Sequence, residues 1–416
     1  MCGLSRSKGR VRASWGALAG PYQNGQSVRM SPGEGEVASA RFVRASSTGW
    51  PVARANAVGV QSDRLADLIQ FAIDHESSPD RSEDPAAAKA ETLRRVLGPN
   101  ADTEIVGPFT APGRVNGIVI RRGHVLAEFG DTDCADEIAS ATKSFLSLLC
   151  GVAVTDGIIR DIDAPVYDDT RLDRLGSAHN RMITWRHLLQ RTSEWDGVLF
   201  DKRPVGHRGD RIGDPLREPG MFWEYNDVRV NLLARCLLEM FRRPLPDVLH
   251  NRIMEPIGAS SSWSWHGYEN SWITIDGRRI QSVSGGTHWG GGIWMNARDL
   301  SLIGVLYLNE GRCGDQQLIS KDWIRETRTS CGLNYMYGLM WWLQHDDGGR
   351  QISFAAQGGG SHHCFVIPDH ELVIVVKWID DDAWKEFLDH ALRLAVDQPA
   401  LGPVQYDFTR INHSLG

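Results

Sequence analysis

Residues 140–155 read SATKSFLSLLCGVAVT, an apolar run that opens with a Ser-x-x-Lys motif and is followed by Gly157. The density of apolar residues, with a glycine just beyond them, predicts one buried helix. Residues three positions apart share a face of a helix, so the Lys143 amine can reach the Ser140 hydroxyl. The positive end of the helix also favours an alkoxide and disfavours an ammonium. The segment therefore predicts an activated serine.

The motif has chemical requirements and is weak by itself. For Lys143 to act as a base near neutral pH, its pKa must fall by about 3 units from roughly 10.4, which burial beside other cationic groups can achieve. The backbone N–H of Ser140 would then be free to face a developing oxyanion. A second copy, Ser5-Arg6-Ser7-Lys8, has no apolar helix behind it and is attributed to chance. On the motif alone, a helix-starting serine beside a solvated lysine remains an equal alternative.

A second segment, residues 219–227, reads PGMFWEYND and leads into an apolar helix. A tyrosine on a loop beside a lysine can lose or share its proton, so Tyr225 is a candidate acid/base. The alternative is a tyrosine that anchors the loop by a hydrogen bond.

A third segment, Gln357-Gly358-Gly359-Gly360-Ser361, precedes a short apolar strand at residues 364–367. Glycines allow the backbone to approach a substrate closely and to present an N–H to it. Taken alone, a plain loop is the simpler interpretation.

Common motifs of other enzyme classes are absent from the sequence, including G-x-S-x-G, the G-x-x-x-x-G-K-[ST] phosphate loop and H-E-x-x-H. The pair His362-His363 suggests metal only weakly, because adjacent residues of a strand point to opposite faces. We therefore expect no metal and no cofactor.

The elements predicted along the chain indicate an α/β (α+β) fold. Strand signals occur near both ends, at residues 117–121, 124–129, 272–275, 336–343, 364–367 and 372–378. Helical patterns begin at Ser62 and cover residues 86–97, 183–190, 228–241, 299–308 and 383–395. We predict one antiparallel sheet flanked by helices, beside an all-helical lobe, with the active site between them. Residues 1–60 are expected to be a disordered tail and 61–416 a single catalytic domain, with 61–145 and 270–416 in the α/β part and 146–269 in the lobe.

Composition limits the partners. The charge, 45 − 52 = −7, disfavours affinity for nucleic acid or anionic membranes, and no run of apolar residues is long enough to span a bilayer. Seven scattered cysteines, without a C-x-x-C pair, indicate reduced thiols, and the N-terminus lacks the apolar stretch of a secretory signal. We expect a cytoplasmic protein whose partner is a small-molecule substrate. The oligomeric state is not predicted.

Taken in order, Ser140-x-x-Lys143, Tyr225 and the glycine turn resemble the serine β-lactamase and penicillin-recognising superfamily. The likeness is greater to class C β-lactamase-like hydrolases, which include esterases and 6-aminohexanoate-dimer hydrolase. Residues 183–193, ITWRHLLQRTS, are similar to the family's I-T-I-R-H-L-L-x-H-T-S, and the glycine-rich residues 284–300 are similar to another family segment. The resemblance covers residues 117–395.

The resemblance implies roles for particular residues. Ser140 would be the acylated nucleophile, Lys143 its activating partner, and Tyr225 the general base and acid that relays a proton to the leaving group. The oxyanion hole would pair the Ser140 N–H with an N–H of the glycine turn, for which Gly359 is favoured over Gly358.

Two departures from the family pattern bear on the substrate. Asp227 stands where the family's Tyr-x-Asn has an amide that contacts the substrate, and an ionised carboxylate cannot donate a hydrogen bond. Gln357-Gly358-Gly359 replaces the family's Lys-Thr-Gly or His-x-Gly, which removes a cation that would bind a substrate carboxylate. These departures favour an ester or small amide, cleaved through an acyl-enzyme on Ser140. The alternatives are a β-lactamase or D-Ala-D-Ala peptidase, and a non-catalytic ligand-binding or sensor protein on the same fold.

Several of the fifteen tryptophans lie near these motifs, and Trp223, two residues before Tyr225, is a candidate substrate contact. Trp195, Trp289 and Trp294 are further candidates for an apolar pocket. Ordinary packing in the core is the more frequent role of such residues.

Overall fold

The computed structural model describes residues 28–30, 50–77, 84–97, 102–204 and 215–398. It has a mixed α/β architecture with antiparallel sheets, as the sequence predicts. The strands are β1 Val28–Met30, β2 Asn116–Arg121, β3 His124–Phe129, β4 Asp136–Glu137, β5 Ser264–Ile275, β6 Arg278–Val283, β7 Gly292–Met295, β8 Arg312–Cys313, β9 Gln316–Gln317, β10 Trp342–His345, β11 Gln351–Gly358, β12 His362–Ile367 and β13 Leu372–Lys377.

The helices occur in two groups, one on the sheet and one in the segment between its strands. They are α1 Ser62–Asp74, α2 Pro85–Leu97, α3 Thr142–Thr155, α4 Val166–Thr170, α5 Trp185–Gln190, α6 Asp227–Phe241, α7 Leu245–Leu249, α8 Glu255–Ile257, α9 Ala297–Leu308, α10 Lys321–Thr327 and α11 Trp384–Leu392. A π-helical turn, His250–Met254, joins α7 to α8. Short 3-10 turns occur at Ala55–Val58, Ala139–Ala141, Asp173–Leu175, Asn180–Met182 and Pro368–His370.

The main sheet is assembled from distant parts of the chain. Within the described residues its strand order is β1-β3-β2-β13-β12-β11-β10, and every neighbouring pair is antiparallel. The β2–β3 hairpin turns at Arg122 and Gly123, as predicted, and both residues have positive φ. β2 then pairs with β13, where Ile120 lies opposite Val373. The predicted union of strands from both ends of the chain is confirmed.

Helices cover both faces of this sheet, so its central strands are apolar on both sides. Ile120 and Val375 face one core, which also contains Phe145 of α3. Ile374, which precedes Val375, faces a second core with Leu65 of α1. The alternation follows from the two-residue period of a strand. Each face therefore buries its own layer of helices.

Three details differ from the predictions. Residues 50–60, assigned to a disordered tail, are folded, because Val58 and Val60 are buried in the second core. β1, which belongs to the same predicted tail, is part of the main sheet. The rest of the predicted tail lies outside the described residues. Residues 336–341 form turns and bends rather than a strand, apart from an isolated bridge between Tyr337 and Trp342, because Met340 has a positive φ of 60° that interrupts the extended backbone. A second sheet, ordered β4-β7-β5-β6, was not predicted.

The helical segment lies against the sheet part through α3, which contacts both α6 and β11. This arrangement places the start of α3, the start of α6 and the end of β11 near one another. None of the described helices is long and apolar enough to cross a bilayer. None of the six cysteines within the described ranges forms a disulfide with another described residue.

Candidate active site

Ser140 precedes α3 by two residues, and Lys143 lies in the first turn of that helix. Ser140 lies in the 3-10 turn Ala139–Ala141, half-buried, and Lys143 is almost wholly buried. The Lys143 Nζ donates a hydrogen bond to the Ser140 Oγ at 2.7 Å, as the spacing predicts. Ala139 has a φ of 46°, a left-handed conformation that a residue with a Cβ adopts only at a cost. Backbone strain is thus located directly before the candidate nucleophile.

A buried carboxylate lies on the other side of Lys143. The Asp227 Oδ1 is 2.9 Å from Lys143 Nζ, and the aspartate has no exposed surface. A Cβ on Gly286 would lie 2.1 Å from the Asp227 Oδ2, so only glycine fits beside this carboxylate. The His288 Nδ1 is 3.4 Å from the same oxygen. Asp227 is therefore engaged with Lys143 and His288.

Burial and the neighbouring charges lower the pKa of both Lys143 and Asp227. Burial is the largest effect on Lys143 and lowers its pKa below the ordinary value, although Asp227 opposes the shift. Burial alone would raise the pKa of Asp227, but His288, Lys143 and Arg191 together hold it well below its usual range. The direction at Lys143 is the one that base catalysis requires.

Tyr225 reaches the same serine from the start of α6. Its side chain forms a hydrogen bond with Ser140, and its ring centroid is 5.0 Å from Lys143 Nζ. Asn226, the next residue, caps α6 by accepting a hydrogen bond from the backbone N–H of Arg229. The pKa of Tyr225 is raised overall, because burial, with a smaller contribution from Asp227, outweighs the lowering by Arg191 and by the bond to Ser140. The structure thus brings together Ser140, Lys143 and Tyr225.

Arg191 is a site residue that the sequence analysis did not single out. Its guanidinium carbon is 3.7 Å from the centroid of the Tyr225 ring, and its side chain is buried. The available signal was its position in the family-like segment 183–193, directly before Thr192-Ser193. Sequence alone does not reveal that this segment meets the loop before α6. Asp227's contact with His288 was missed for the same reason.

An aromatic cluster borders Tyr225. Trp342 stacks on the Tyr225 ring with centroids 5.9 Å apart, and Trp223 meets Tyr337 edge to face at 5.6 Å. Leu333 and Cys331 complete the cluster. Trp223 therefore lies in the cluster that borders Tyr225.

The other three candidate tryptophans, Trp195, Trp289 and Trp294, have different neighbours. Trp195 and Trp289 are fully buried in the main core, and Trp294 is largely buried and donates to Thr110. Core packing accounts for Trp195 and Trp289.

The glycine turn lies against the nucleophile through Gly358. A Cβ on Gly358 would lie 2.2 Å from the Ile138 carbonyl oxygen and 3.1 Å from the Ser140 nitrogen. At Gly359, by contrast, a Cβ would meet nothing within 4 Å among the described residues. The β11–β12 pairing, with Gly358 opposite His362, confines the turn to the three residues between them. Gly358 thus closes on the backbone of Ser140, and Gly359 adjoins open space.

This contrast predicts different results for two alanine substitutions. Gly358→Ala is expected to push β11 away from the Ser140 turn, costing about 1–3 kcal/mol of stability and lowering kcat by about 100-fold, because small displacements of reacting groups are costly. Gly359→Ala, the matched control, should leave thermal stability unchanged. Thermal denaturation and steady-state kinetics measure both effects. Equal stability of the two variants would contradict the close approach.

The two histidines of the pair His362-His363 have different neighbours. His362 meets Trp378 edge to face at 4.5 Å, whereas His363 stacks on Phe365 at 5.0 Å. Burial lowers the pKa of His363 to about 3, and burial also lowers that of His362. Among the described residues, no group of three or more His, Cys, Asp or Glu side chains is placed to hold a metal ion.

Comparisons with known proteins concern the family and the fold. A family model described as Beta-lactamase matches residues 119–396. The structure is similar to a protein described as a 6-aminohexanoate-dimer hydrolase from Bacillus anthracis, with a TM-score of 0.51 and 15% identity over 67% of this chain and 78% of that one. A protein described as a β-lactamase from Bacteroides dorei gives a TM-score of 0.51 and 16% identity over 68% and 93%. At such identities the likeness concerns the fold. No curated protein matches the chain.

Proposed function

Because the chain belongs to the Beta-lactamase family, we propose that it is a serine hydrolase that cleaves an ester or a small linear amide through a covalent acyl-enzyme on Ser140. The observation that carries the proposal is the convergence of two side chains on one hydroxyl. Lys143 donates to the Ser140 Oγ at 2.7 Å, and Tyr225 forms a hydrogen bond with the same side chain. A nucleophile with an adjacent base is the arrangement that covalent catalysis needs.

In the first half of the reaction, the Ser140 Oγ attacks the substrate carbonyl carbon and its proton passes to the oxygen of Tyr225, which accepts it in the phenolate form. Lys143 holds the attacking oxygen in place and stabilises the negative charge that develops on it. The carbonyl oxygen becomes an oxyanion, for which the Ser140 N–H and an N–H of the glycine turn, Gly359 or Gly358, are the proposed donors. Tyr225 then protonates the leaving alcohol or amine as the carbonyl bond to it breaks.

In the second half, water attacks the acyl carbon and gives a proton to Tyr225. The bond to the Ser140 Oγ breaks, the acid is released, and the proton returns to Ser140. In each half-reaction Tyr225 releases the proton that it has accepted, so it ends in the form in which it began. The fixed positions of Ser140, Lys143 and Tyr225 supply the orientation that lowers the barrier.

The surroundings of the serine favour a substrate without a carboxylate at the end of β11. Gln357 is neutral and cannot form the charge-assisted bond that a lysine or histidine there would provide. Asp227 is fully buried beside Lys143 and His288, which supports a role in holding Lys143 rather than a substrate amide. The aromatic cluster around Trp223 and Trp342 suits an apolar acyl or alcohol group.

A substrate panel on the purified protein tests this proposal. Nitrophenyl esters of increasing chain length, small linear amides and a chromogenic cephalosporin would be compared by kcat/KM, with Ser140→Ala as background. Losing one charge-assisted bond costs about 1.5–3 kcal/mol, so the cephalosporin should be about 10- to 100-fold poorer than the best ester. Gln357→Lys should reduce the difference in kcat/KM between the best ester and the cephalosporin, because it supplies a cation for the carboxylate of the cephalosporin.

Two results would replace the proposal with one of its alternatives. Equal or faster turnover of the cephalosporin would indicate a β-lactamase or peptidase. Absence of turnover together with absence of covalent labelling would indicate a ligand-binding protein on this fold.

A further inference from the structure

Glu137 is a buried carboxyl group three residues before the candidate nucleophile. It is only 6% exposed, and its Oε1 has no hydrogen-bond partner among the described residues. The Thr287 hydroxyl forms a hydrogen bond with the side chain, and Lys89 of α2 supplies a positive charge nearby. A carboxylate with so few partners is costly to keep ionised away from water. The proposed reaction does not use this group.

The surroundings of Glu137 favour its neutral form. Burial is the largest effect and raises the pKa of Glu137 from 4.5 to about 7, although Lys89 and the bond to Thr287 oppose the shift. The side chain is therefore neutral in mildly acidic solution and loses its proton to the solvent as the pH rises through about 7.

The charged and titratable groups around this end of β4 come from three other elements. The Lys89 Nζ of α2 is 5.1 Å from the centroid of the Phe109 ring. Lys377 of β13 is 3.0 Å from Asp136, which precedes Glu137 and points to the opposite face of β4. Burial and the charges of Lys377 and Lys89 lower the pKa of His362 on β12, which stays neutral. Among the described groups that act on Glu137, Lys89 is the cation.

The strand that carries Glu137 fixes one end of the serine turn. Glu137 pairs with β7, and the N–H of the next residue, Ile138, donates to the Ile293 carbonyl of the same strand at 2.9 Å. The chain then turns through Ala139, with its positive φ, to Ser140. A strained turn persists only where the structure on each side holds it. Displacement of β4 would therefore displace Ser140.

The hydrogen bond to Thr287 connects Glu137 with the other side of the site. Thr287 precedes His288, whose Nδ1 is 3.4 Å from the Asp227 Oδ2. The second oxygen of Asp227 is 2.9 Å from the Lys143 Nζ. Glu137 thus contacts the segment that supports the lysine and belongs to the strand that leads to the serine.

We propose that Glu137 is a positioning residue whose neutral form holds β4 and Thr287 in place, and whose ionisation loosens this anchor and displaces Ser140 from Lys143 and Tyr225. An ionised carboxylate at this position has to gain water or a cation, and we expect either to move β4 or the Thr287 segment. Glu137 acts on the reaction only through the position of Ser140. The inference rests on the acyl-enzyme function proposed above.

The first measurement is stability against pH, which does not depend on turnover. The neutral form is favoured in the folded protein, so its stabilisation is complete below the unfolded-state pKa of 4.5 and is lost as the pH rises through about 7. A shift of about 2.5 units corresponds to a roughly 300-fold fall in the folding equilibrium constant. Glu137→Gln stays neutral and should lack this fall, as denaturant titrations from pH 4.5 to pH 8 would measure.

The second measurement is kcat/KM for the best ester against pH. A small displacement of a reacting group costs about 100-fold, so the wild type should lose about that much between pH 6 and pH 8.5. Glu137→Gln should keep its activity over the same range. Lys89→Met removes the cation that favours the ionised form, so the midpoints of stability and activity should both move upward by about 0.5–1 unit. A merely structural role of Glu137 would not give this shift.

The matched control is Arg95→Met, which removes a cation from the exposed part of the same helix as Lys89. It should leave both midpoints in place, because Arg95 is not among the groups that act on Glu137. A Glu137→Gln protein that folds and keeps the wild-type fall in kcat/KM would overturn the inference. If Glu137→Gln does not fold, unshifted midpoints in Lys89→Met overturn it equally.

Failure of the proposed function has a different signature. Labelling of Ser140 by an organophosphonate reports the reactivity of the serine directly. Labelling of the wild type at the same rate at pH 6 and pH 8.5 would reject the role of Glu137 alone. Absence of labelling and turnover at every pH, with the stability difference between wild type and Glu137→Gln still present, would reject the function while keeping the buried carboxyl group.

Discussion

Replacing Ser140 with alanine is expected to abolish both turnover and covalent labelling. The variant lacks the oxygen that forms the acyl bond, and loss of a nucleophile typically lowers kcat by about 10⁴-fold or more. An organophosphonate should add one equivalent of mass to the wild-type peptide that contains Ser140, and none to the variant. Peptide mass spectrometry and steady-state kinetics measure the two outcomes.

The chain supplies a matched control for this prediction. Ser5 begins the second Ser-x-x-Lys copy, Ser5-Arg6-Ser7-Lys8, which lies outside the described residues. Ser5→Ala should keep both turnover and labelling. A label that lands on Ser5, or turnover that survives Ser140→Ala, would show that another serine is the nucleophile.

Lys143→Met is expected to remove turnover and to destabilise the fold. Methionine has nearly the length of lysine but cannot donate to the Ser140 Oγ, so kcat should fall by about 10⁴-fold, as for other members of a catalytic unit. The substitution also leaves the Asp227 carboxylate buried without its lysine partner, which costs about 3–5 kcal/mol. Denaturant titration measures the loss of stability.

A double variant separates the two effects. In Lys143→Met with Asp227→Asn, the buried charge is removed together with its partner, so stability should recover most of the loss while turnover stays absent. A double variant as unstable as Lys143→Met would contradict the buried ion pair seen between these side chains. Recovery of turnover would contradict the role of Lys143.

The same pair predicts a dependence of wild-type stability on pH. The pKa of Asp227 is held well below its usual value, so its ionised form is favoured in the folded protein. The stabilisation is fully present above the unfolded-state pKa of about 3.9 and is lost as the pH falls below it. The double variant should lack this acid-labile contribution.

Sequence alone determined the features that depend on neighbouring residues. The apolar run at 140–155 predicts α3, and helical spacing predicts the contact between Lys143 and Ser140, because both follow from the geometry of one helix. The β2–β3 hairpin and the buried face of α1 are local patterns of the same kind. The order of the three motifs was enough to identify the family. The Beta-lactamase family model, which matches residues 119–396, confirms it.

The tertiary structure decided the features that join distant segments. Arg191 packs on the ring of Tyr225. Asp227 contacts Lys143 and His288. Gly358 packs against the backbone turn that contains Ser140. Periodicity reports which face of an element is buried but not which distant side chain it meets. Those contacts depend on how β2 joins β13 and how α3 crosses α6, and that path through space is set by packing the whole core together.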